Sequence, residues 1–302
     1  MPHIDTLVTT TEAAEIISRR NGISYKAVNI KKLCQTGSIQ GAQKIGERRG
    51  QWFVPTEWAE TYVPRGVKNR KNTAFKIVDR DFLYPQIIDC WRRLSPEKAM
   101  DYLRGQDIIY AYHSGTIDNP EITYQATESI FKRNYVESYT GSLTTLLEIR
   151  NAWRASLFFH NSLVRQRPLE SEFVIELYRI LMQDCCEINT MILAAAGLKI
   201  KSVLIELESY KIEHTAMLQQ AAFFHAQFFK LCPFVDGNGR AGRLAMNYLL
   251  ALHGHPIITI HKDGLECYYD ALKSWDLRRD LKALQNFLRY QTCRTWDKLL
   301  DE

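Results

Sequence analysis

The sequence contains no apolar run that could cross a bilayer: the longest, Met191 to Leu198, falls well short of the ~20 residues a spanning helix needs. Its N-terminus lacks the basic-then-apolar order of a secretory leader, so a cytoplasmic protein with no membrane partner is expected. Seven cysteines are present but no Cys-x-x-Cys pair, and the adjacent Cys185 and Cys186 would bridge awkwardly. Neither a disulfide framework nor a structural zinc site is therefore expected, and the thiols should be reduced. Internal repeats and low-complexity tracts are also missing, and beyond residue 82 strand-like patterning is confined mainly to the stretch from Ile257 to Ile260. What remains is a chain of 302 residues, 24% charged and 46% hydrophobic, ordinary for a soluble protein and long enough for one large or two modest domains.

Charge is unevenly spread. Of the 39 Lys and Arg and 34 Asp and Glu, residues 1–75 hold 12 and 6, so this segment carries +6, the remainder −1 and the whole chain +5. A local basic excess is the footprint of nucleic-acid contact. From Thr9 to Arg20 a threonine cap and an early acid precede a short helix bearing Ala13, Ala14, Ile16 and Ile17, which Asn21-Gly22 ends. Ser24 can cap a second helix to about Gln35, with Val28, Ile30 and Leu33 inward and Lys26, Lys31 and Lys32 outward. Ile39 to Val54 has strand content around a basic tip carrying Lys44, Arg48 and Arg49, and Pro55 opens a further helix to Tyr62. This plan resembles the small excisionase and MerR-like winged helix-turn-helix domains. That resemblance implies DNA as a partner, with the second helix in the major groove and the wing on backbone or minor groove. An interaction module that keeps the fold without DNA is the alternative. One such domain binds weakly, so a homodimer or a partner is expected for site selectivity. The boundaries read as 1–63 for this domain, 64–80 for a basic linker and 81–302 for a mainly helical domain.

The second domain centres on Leu231 to Leu250. Apolar Met217, Ala221, Phe224 and Phe228 precede this stretch at helical spacing, and Leu244, Met246, Leu249 and Leu250 follow, giving helix, turn, helix. The turn, Asp236-Gly237-Asn238-Gly239, has the make-up of an anion trap: two glycines let backbone amides converge where the next helix begins. Arg240 and Arg243, three apart on that helix, suit phosphate oxygens, and Asp236 supplies the carboxylate of a magnesium site shared with substrate phosphates.

Together these residues resemble the signature of the Fic family, His-x-Phe-x-(Asp or Glu)-Gly-Asn-Gly-Arg with a second Arg three positions on. Here the run is Cys232-Pro-Phe234-Val-Asp236-Gly237-Asn238-Gly239-Arg240, then Arg243. The resemblance extends over roughly residues 82–300 and implies a Fic-type helical bundle that uses ATP, or another nucleotide, with magnesium. Such proteins typically move AMP from ATP to a hydroxyl of a target protein, the signature histidine taking the proton. Cys232 stands in that place. A free thiol, with a pKa near ~8.5, is a poor general base unless shifted. Cys232 is either a base or nucleophile tuned by the nearby arginines, or a buried small hydrophobe where a base was lost. His225, about two turns upstream, offers no obvious replacement.

Two further stretches bear on the same chemistry. Ser114, Asp118 and Asn119 match the family's inhibitory helix, Ser/Thr-x-x-x-Glu-(Gly or Asn), except that the acid is one methylene shorter. The resemblance implies an Asp118–Arg243 pair that blocks the outermost phosphate; alternatively Asp118 with Asn119-Pro120 merely ends a helix. Active relatives usually carry a β-hairpin flap after the helix that here spans about Leu169 to Ile188. In its place Cys186 to Tyr210 holds one glycine and no proline, and the run from Lys199 to Ile205 would form at most a reduced strand remnant. The expected protein is thus a DNA-associated regulator that binds nucleotide and has lost or altered ordinary AMP transfer. The competing expectation is an active adenylyltransferase with Cys232 in the histidine's place and a protein target.

Overall fold

The computed structural model describes residues 7–21, 25–45, 51–62 and 82–301. The chain separates into two compact units, Met1–Lys76 and Ile77–Glu302. Among the described residues, no helix is long and apolar enough to cross a membrane.

The first unit has the order β1 (Leu7–Thr9), α1 (Thr10–Asn21), α2 (Ala27–Gln35), β2 (Gln43–Ile45), β3 (Gln51–Pro55) and α3 (Thr56–Thr61). The strands form one antiparallel sheet, β1-β3-β2, with Val8 opposite Val54 and Lys44 opposite Trp52. β1 has no counterpart in the sequence expectations. Thr9 and Glu12 close a reciprocal cap on α1. The Glu12 amide donates to Thr9 Oγ1 at 3.2 Å and the Thr9 amide to Glu12 Oε2 at 2.8 Å. Ala13, Ile17, Ile30, Val54 and Ala59 make the small core. Val28, expected inside, is 53% exposed: α2 buries Ile30 and Cys34, and a residue two positions from Ile30 points to the opposite side of a helix. Ser24, Arg48, Arg49 and the linker 64–80 lie outside the described residues.

The second unit is helical: α4 (Leu83–Arg93), α5 (Pro96–Asp118), α6 (Tyr124–Arg133), α7 (Leu143–Val164), α8 (Ser171–Leu181), α9 (Thr190–Glu213), α10 (Met217–Leu231), α11 (Asn238–Leu252), α12 (Leu265–Arg278) and α13 (Lys282–Trp296). Side-chain caps set several starts: Ser95, Thr123, Ser142 and Asn189 each accept an amide from the first turn that follows. α11 is the axis. Every residue from Arg240 to Leu250 is buried, and α5, α7, α8 and α10 all pack on it, as a helix apolar on nearly all sides requires.

Three expectations are corrected. The helix expected to reach Ile188 stops at Leu181. Lys199 to Ile205 is not a strand remnant but the middle of α9, a 24-residue helix. Leu193, Ala196, Ile200, Val203 and Leu207 recur there at three- and four-residue spacing and are all buried, so helical burial overrides the β-branched content that suggested a strand. Ile257–Ile260 pairs with no strand among the described residues. Asn247 of α11 serves instead, its Nδ2 donating to Ile258 O at 3.0 Å and its Oδ1 accepting from Ile258 N–H at 2.8 Å.

Candidate functional site

The site forms where α10 gives way to α11. Cys232 closes α10 in the left-handed region, φ 40°, its amide bonded to Phe228 O at 3.1 Å. The thiol is exposed, and its Sγ–H donates to Phe229 O at 3.0 Å. This overturns the reading of Cys232 as a buried small hydrophobe: the side chain faces solvent because the reversal of φ turns it off the helix. Phe234 anchors the loop in the core, stacked on Tyr178 with ring centroids 3.7 Å apart. Asn238 then locks the turn, its Oδ1 accepting the Phe234 amide at 2.8 Å and its Nδ2 donating to Phe234 O at 2.7 Å.

Gly237 takes φ 70°, and a Cβ there would come within 2.5 Å of Met182 Sδ, so both conformation and space require glycine. Asp236, exposed, accepts the Gly237 amide through Oδ1 at 2.6 Å. The first amide of this helix with an internal partner is Ala241, bonded to Gly237 O at 3.0 Å. The amides of Asn238, Gly239 and Arg240 are thus the open donors at the positive end of α11, as an anion cradle needs. Asp236 stands beside that cradle with one carboxylate oxygen uncommitted in the hydrogen bonds above. Among the described residues no group of three or more His, Cys, Asp or Glu side chains converges, so a magnesium ion here would draw most of its ligands from phosphate and water.

The arginines do not lie on an exposed face. Arg240 is 8% and Arg243 2% exposed, and both point inward. Arg243 Nε donates to Ser114 Oγ at 2.9 Å, and its Nη2 donates to Ser114 O and to Asp118 Oδ2, each at 2.8 Å. Asp118 therefore reaches Arg243 despite its shorter side chain. Burial works against the guanidinium charge, but the neighbouring carboxylate outweighs it and holds Arg243 protonated. Asp118 Oδ2 also lies 3.7 Å from Arg240 Nε. Gly239 makes the arrangement possible, since a Cβ there would meet Arg243 Nη1 at 2.8 Å and Asp118 Oδ1 at 3.0 Å. Asn119 does end α5, as the alternative reading held: its Oδ1 accepts the Glu121 amide at 3.0 Å.

The sequence reading missed Glu148. From α7 it pairs with Arg240 Nη1 at 2.8 Å and accepts Asn119 Nδ2 at 2.6 Å. Its signal was present, because Thr145, Glu148 and Ile149 share the inward face of α7, and an acid on such a face needs a buried cation. Beneath the pair lies a cavity of about 40 Å³ lined by Tyr110, Ser114, Glu148, Arg240 and Asn247 among others. The Tyr110 hydroxyl and Arg240 Nε are buried there without hydrogen-bond partners, and burial pushes the Tyr110 phenol up to about 12. His225 is 1% exposed and bonded to the Tyr268 hydroxyl at 2.7 Å; burial and then Arg243 push it down to about 3, so it is a neutral packing group out of a substrate's reach.

In the first unit, Lys26 caps the start of α2, Lys31 and Lys32 lie along it, and Lys44 is on β2; all four are exposed.

Comparison with known proteins finds similarity in sequence over the segment around the turn and in fold over most of the second unit. Residues 168–250 match the sequence model of the Fic/DOC family. The protein adenylyltransferase Fic of Drosophila grimshawi is 26% identical over 206 residues, 63% of this chain and 42% of that protein. Its namesake in Drosophila melanogaster is 37% identical over 91 residues, 29% of this chain and 18% of that one. The chain thus spans well under half the length of these curated relatives. A Fic domain containing signaling protein from Bacteroides thetaiotaomicron superposes with a TM-score of 0.60 at 21% identity, over 72% of this chain and 96% of its own. Fic-1 from C. elegans gives 0.61 at 19% identity, over 78% and 76%. The mainly helical fold is therefore that of Fic-domain proteins, and the Fic family is supported for the segment around the turn.

Proposed function

We propose, from the Fic/DOC match and the latched arginines beneath it, that the second unit is a Fic-type nucleotide-binding module within a DNA-associated regulator. The observation that carries the reading is the buried Arg243–Asp118 pair, 2.8 Å long, directly under the glycine turn that opens α11. ATP is the nucleotide that relatives named adenylyltransferase suggest. The residues fit such a ligand: open amides of Asn238, Gly239 and Arg240 for an inner phosphate, Arg240 and Arg243 for outer phosphates, and Asp236 for magnesium. Magnesium would neutralise phosphate charge beside that acid. The arginines become available only when Asp118 and Glu148 release them, so Ser114, Asp118 and Asn119 act as a restraint on productive binding. Lys26, Lys31, Lys32 and Lys44, with Arg48 and Arg49, would meet DNA phosphates and groove edges, and nucleotide occupancy would bias that contact.

Loss or alteration of AMP transfer follows from Cys232 in the histidine's place and from α9 in the place of a hairpin flap. The exposed Cys232 thiol at the mouth of the turn favours a second reading, an adenylyltransferase in which Cys232 takes or replaces the proton-accepting role. Incubation with α-labelled ATP and magnesium, with and without host lysate, separates the two. Label transferred only by a Cys232→His variant supports the regulator. Transfer by the native protein, lost in Cys232→Ala, supports the enzyme. No nucleotide binding by either form overturns both.

A further inference from the structure

α9 carries two apolar stripes, and the bundle uses only one. Leu193, Ala196, Ile200, Val203 and Leu207 are buried against α8 and α10. On the other side Met191, Leu198, Ile205 and Ile212 are 80%, 72%, 59% and 83% exposed. Their spacing is seven residues throughout, and Ala195, Ser202 and Ser209 fall four residues after the first three, all exposed. Large and small side chains alternating at four and three residues form the seam of a two-helix coiled coil. Surface helices of a free-standing bundle do not need this second seam, and four large exposed apolar side chains in one line mark a contact surface.

We propose that this face pairs two copies of the chain, α9 against α9, antiparallel about a two-fold axis between Val203 and Leu204. The commitment to a second copy rests on self-complementarity. With the helices antiparallel, Ile205 meets the partner's Ser202, Leu198 the partner's Ser209 and Ile212 the partner's Ala195. Each layer therefore sets a large side chain against a small one, so the two rows interlock. On one flank of the seam Lys199 faces the partner's Glu206, and Glu206 faces the partner's Lys199, so both ion pairs are made at once. On the other flank Lys201 faces the partner's Glu208, whereas a parallel arrangement would set Glu208 against the partner's Glu213. The contact is isologous, as a two-fold dimer requires. At about 1.5 Å per residue the overlap from Ala195 to Ile212 runs roughly 25 Å. It involves none of the residues around Arg240 and Arg243, and stands whether or not a nucleotide binds there.

Sedimentation equilibrium of the intact protein between about 1 and 100 µM tests this, with circular dichroism to check the fold of each variant. The wild type is expected to approach the mass of two chains. Leu198→Glu combined with Ile205→Glu should leave one chain's mass at every concentration while keeping the helical spectrum. Lys199→Glu and Glu206→Lys should each weaken pairing about tenfold or more, and an equimolar mixture of the two should restore it, because every flank pair is then again opposite in charge. That mixture decides the matter even if the apolar variant folds poorly. A wild type that stays monomeric overturns the proposal, including one whose α9 amides are protected from exchange by the first unit. So does a dimer indifferent to these substitutions, or single charge variants that pair no better mixed than alone.

Discussion

At the scale of single residues, the site turns on side chains that hold one another rather than on any group open to solvent. Asp118 serves Arg243 in two opposed ways. Removing it leaves a buried guanidinium without its carboxylate partner, and breaking such a pair costs about 3 kcal/mol. On the proposed reading of the site, the same change frees Arg243 for phosphate. Asp118→Ala should therefore lower the melting temperature while raising affinity for ATP with magnesium several-fold, the two read by calorimetry on one preparation. A fall in both would mean that Asp118 supports the site instead of restraining it. Gly239→Ala tests the packing beneath. Helix propensity favours alanine by up to about 1 kcal/mol, but its Cβ would lie 2.8 Å from Arg243 Nη1, and forcing that pair apart costs about 1–3 kcal/mol. Net destabilisation in urea titration is the expected result, and a more stable variant would show that the ion pair does not sit against this glycine. Most of these residues were legible from the signature and the inhibitory-helix pattern. Glu148 was not: its place on the inward face of α7 signals the need for a buried cation, but the partner is over 90 positions away and only the fold shows which one it is.

At the scale of elements, periodicity located α10 and α11 on either side of the turn but failed at α9, whose β-branched residues suit either structure. The deciding fact was burial on one side against α8 and α10. The same kind of error occurred at Ile257–Ile260, strand-like in composition yet served by a side chain. Asn247 supplies both bonds to Ile258, and without it a buried amide and a buried carbonyl lose their partners. Asn247→Ala should accordingly cost about 2–4 kcal/mol, more than truncating an exposed residue of α9 such as Leu198 does in a monomer. Equal effects of the two changes on urea midpoint would remove Asn247 from that structural role. In the first unit, the cap between Thr9 and Glu12 was readable as a local pattern, whereas β1 was too short to signal itself.

At the scale of the molecule, buried histidines set the response to acid. Burial pushes His225 down to about 3 and His255 and His113 to about 4, from an ordinary 6.5. Above pH 6.5 neither the folded nor the unfolded chain binds these protons. Below it the unfolded chain does and the folded chain does not, so stability falls with pH and the loss stops growing near each folded value. At ~1.4 kcal/mol per unit, the fall from pH 7 to 5 amounts to about 2 kcal/mol each for His225 and His255, with less from the half-buried His113. Urea melts at the two values should show that loss, and unchanged stability would mean the rings admit protons without unfolding.

The sequence by itself determined the mainly helical class, the basic first unit, and the turn from Cys232 to Arg243, because helix periods, caps and glycine turns act over a few neighbouring residues. Only the tertiary structure decided that Arg240 and Arg243 are buried, that Asp118 and Glu148 hold them, that Cys232 faces solvent, and that α9 keeps an apolar seam unburied. Each of those outcomes depends on which distant helix packs against which face, and charge and burial are properties of that packing.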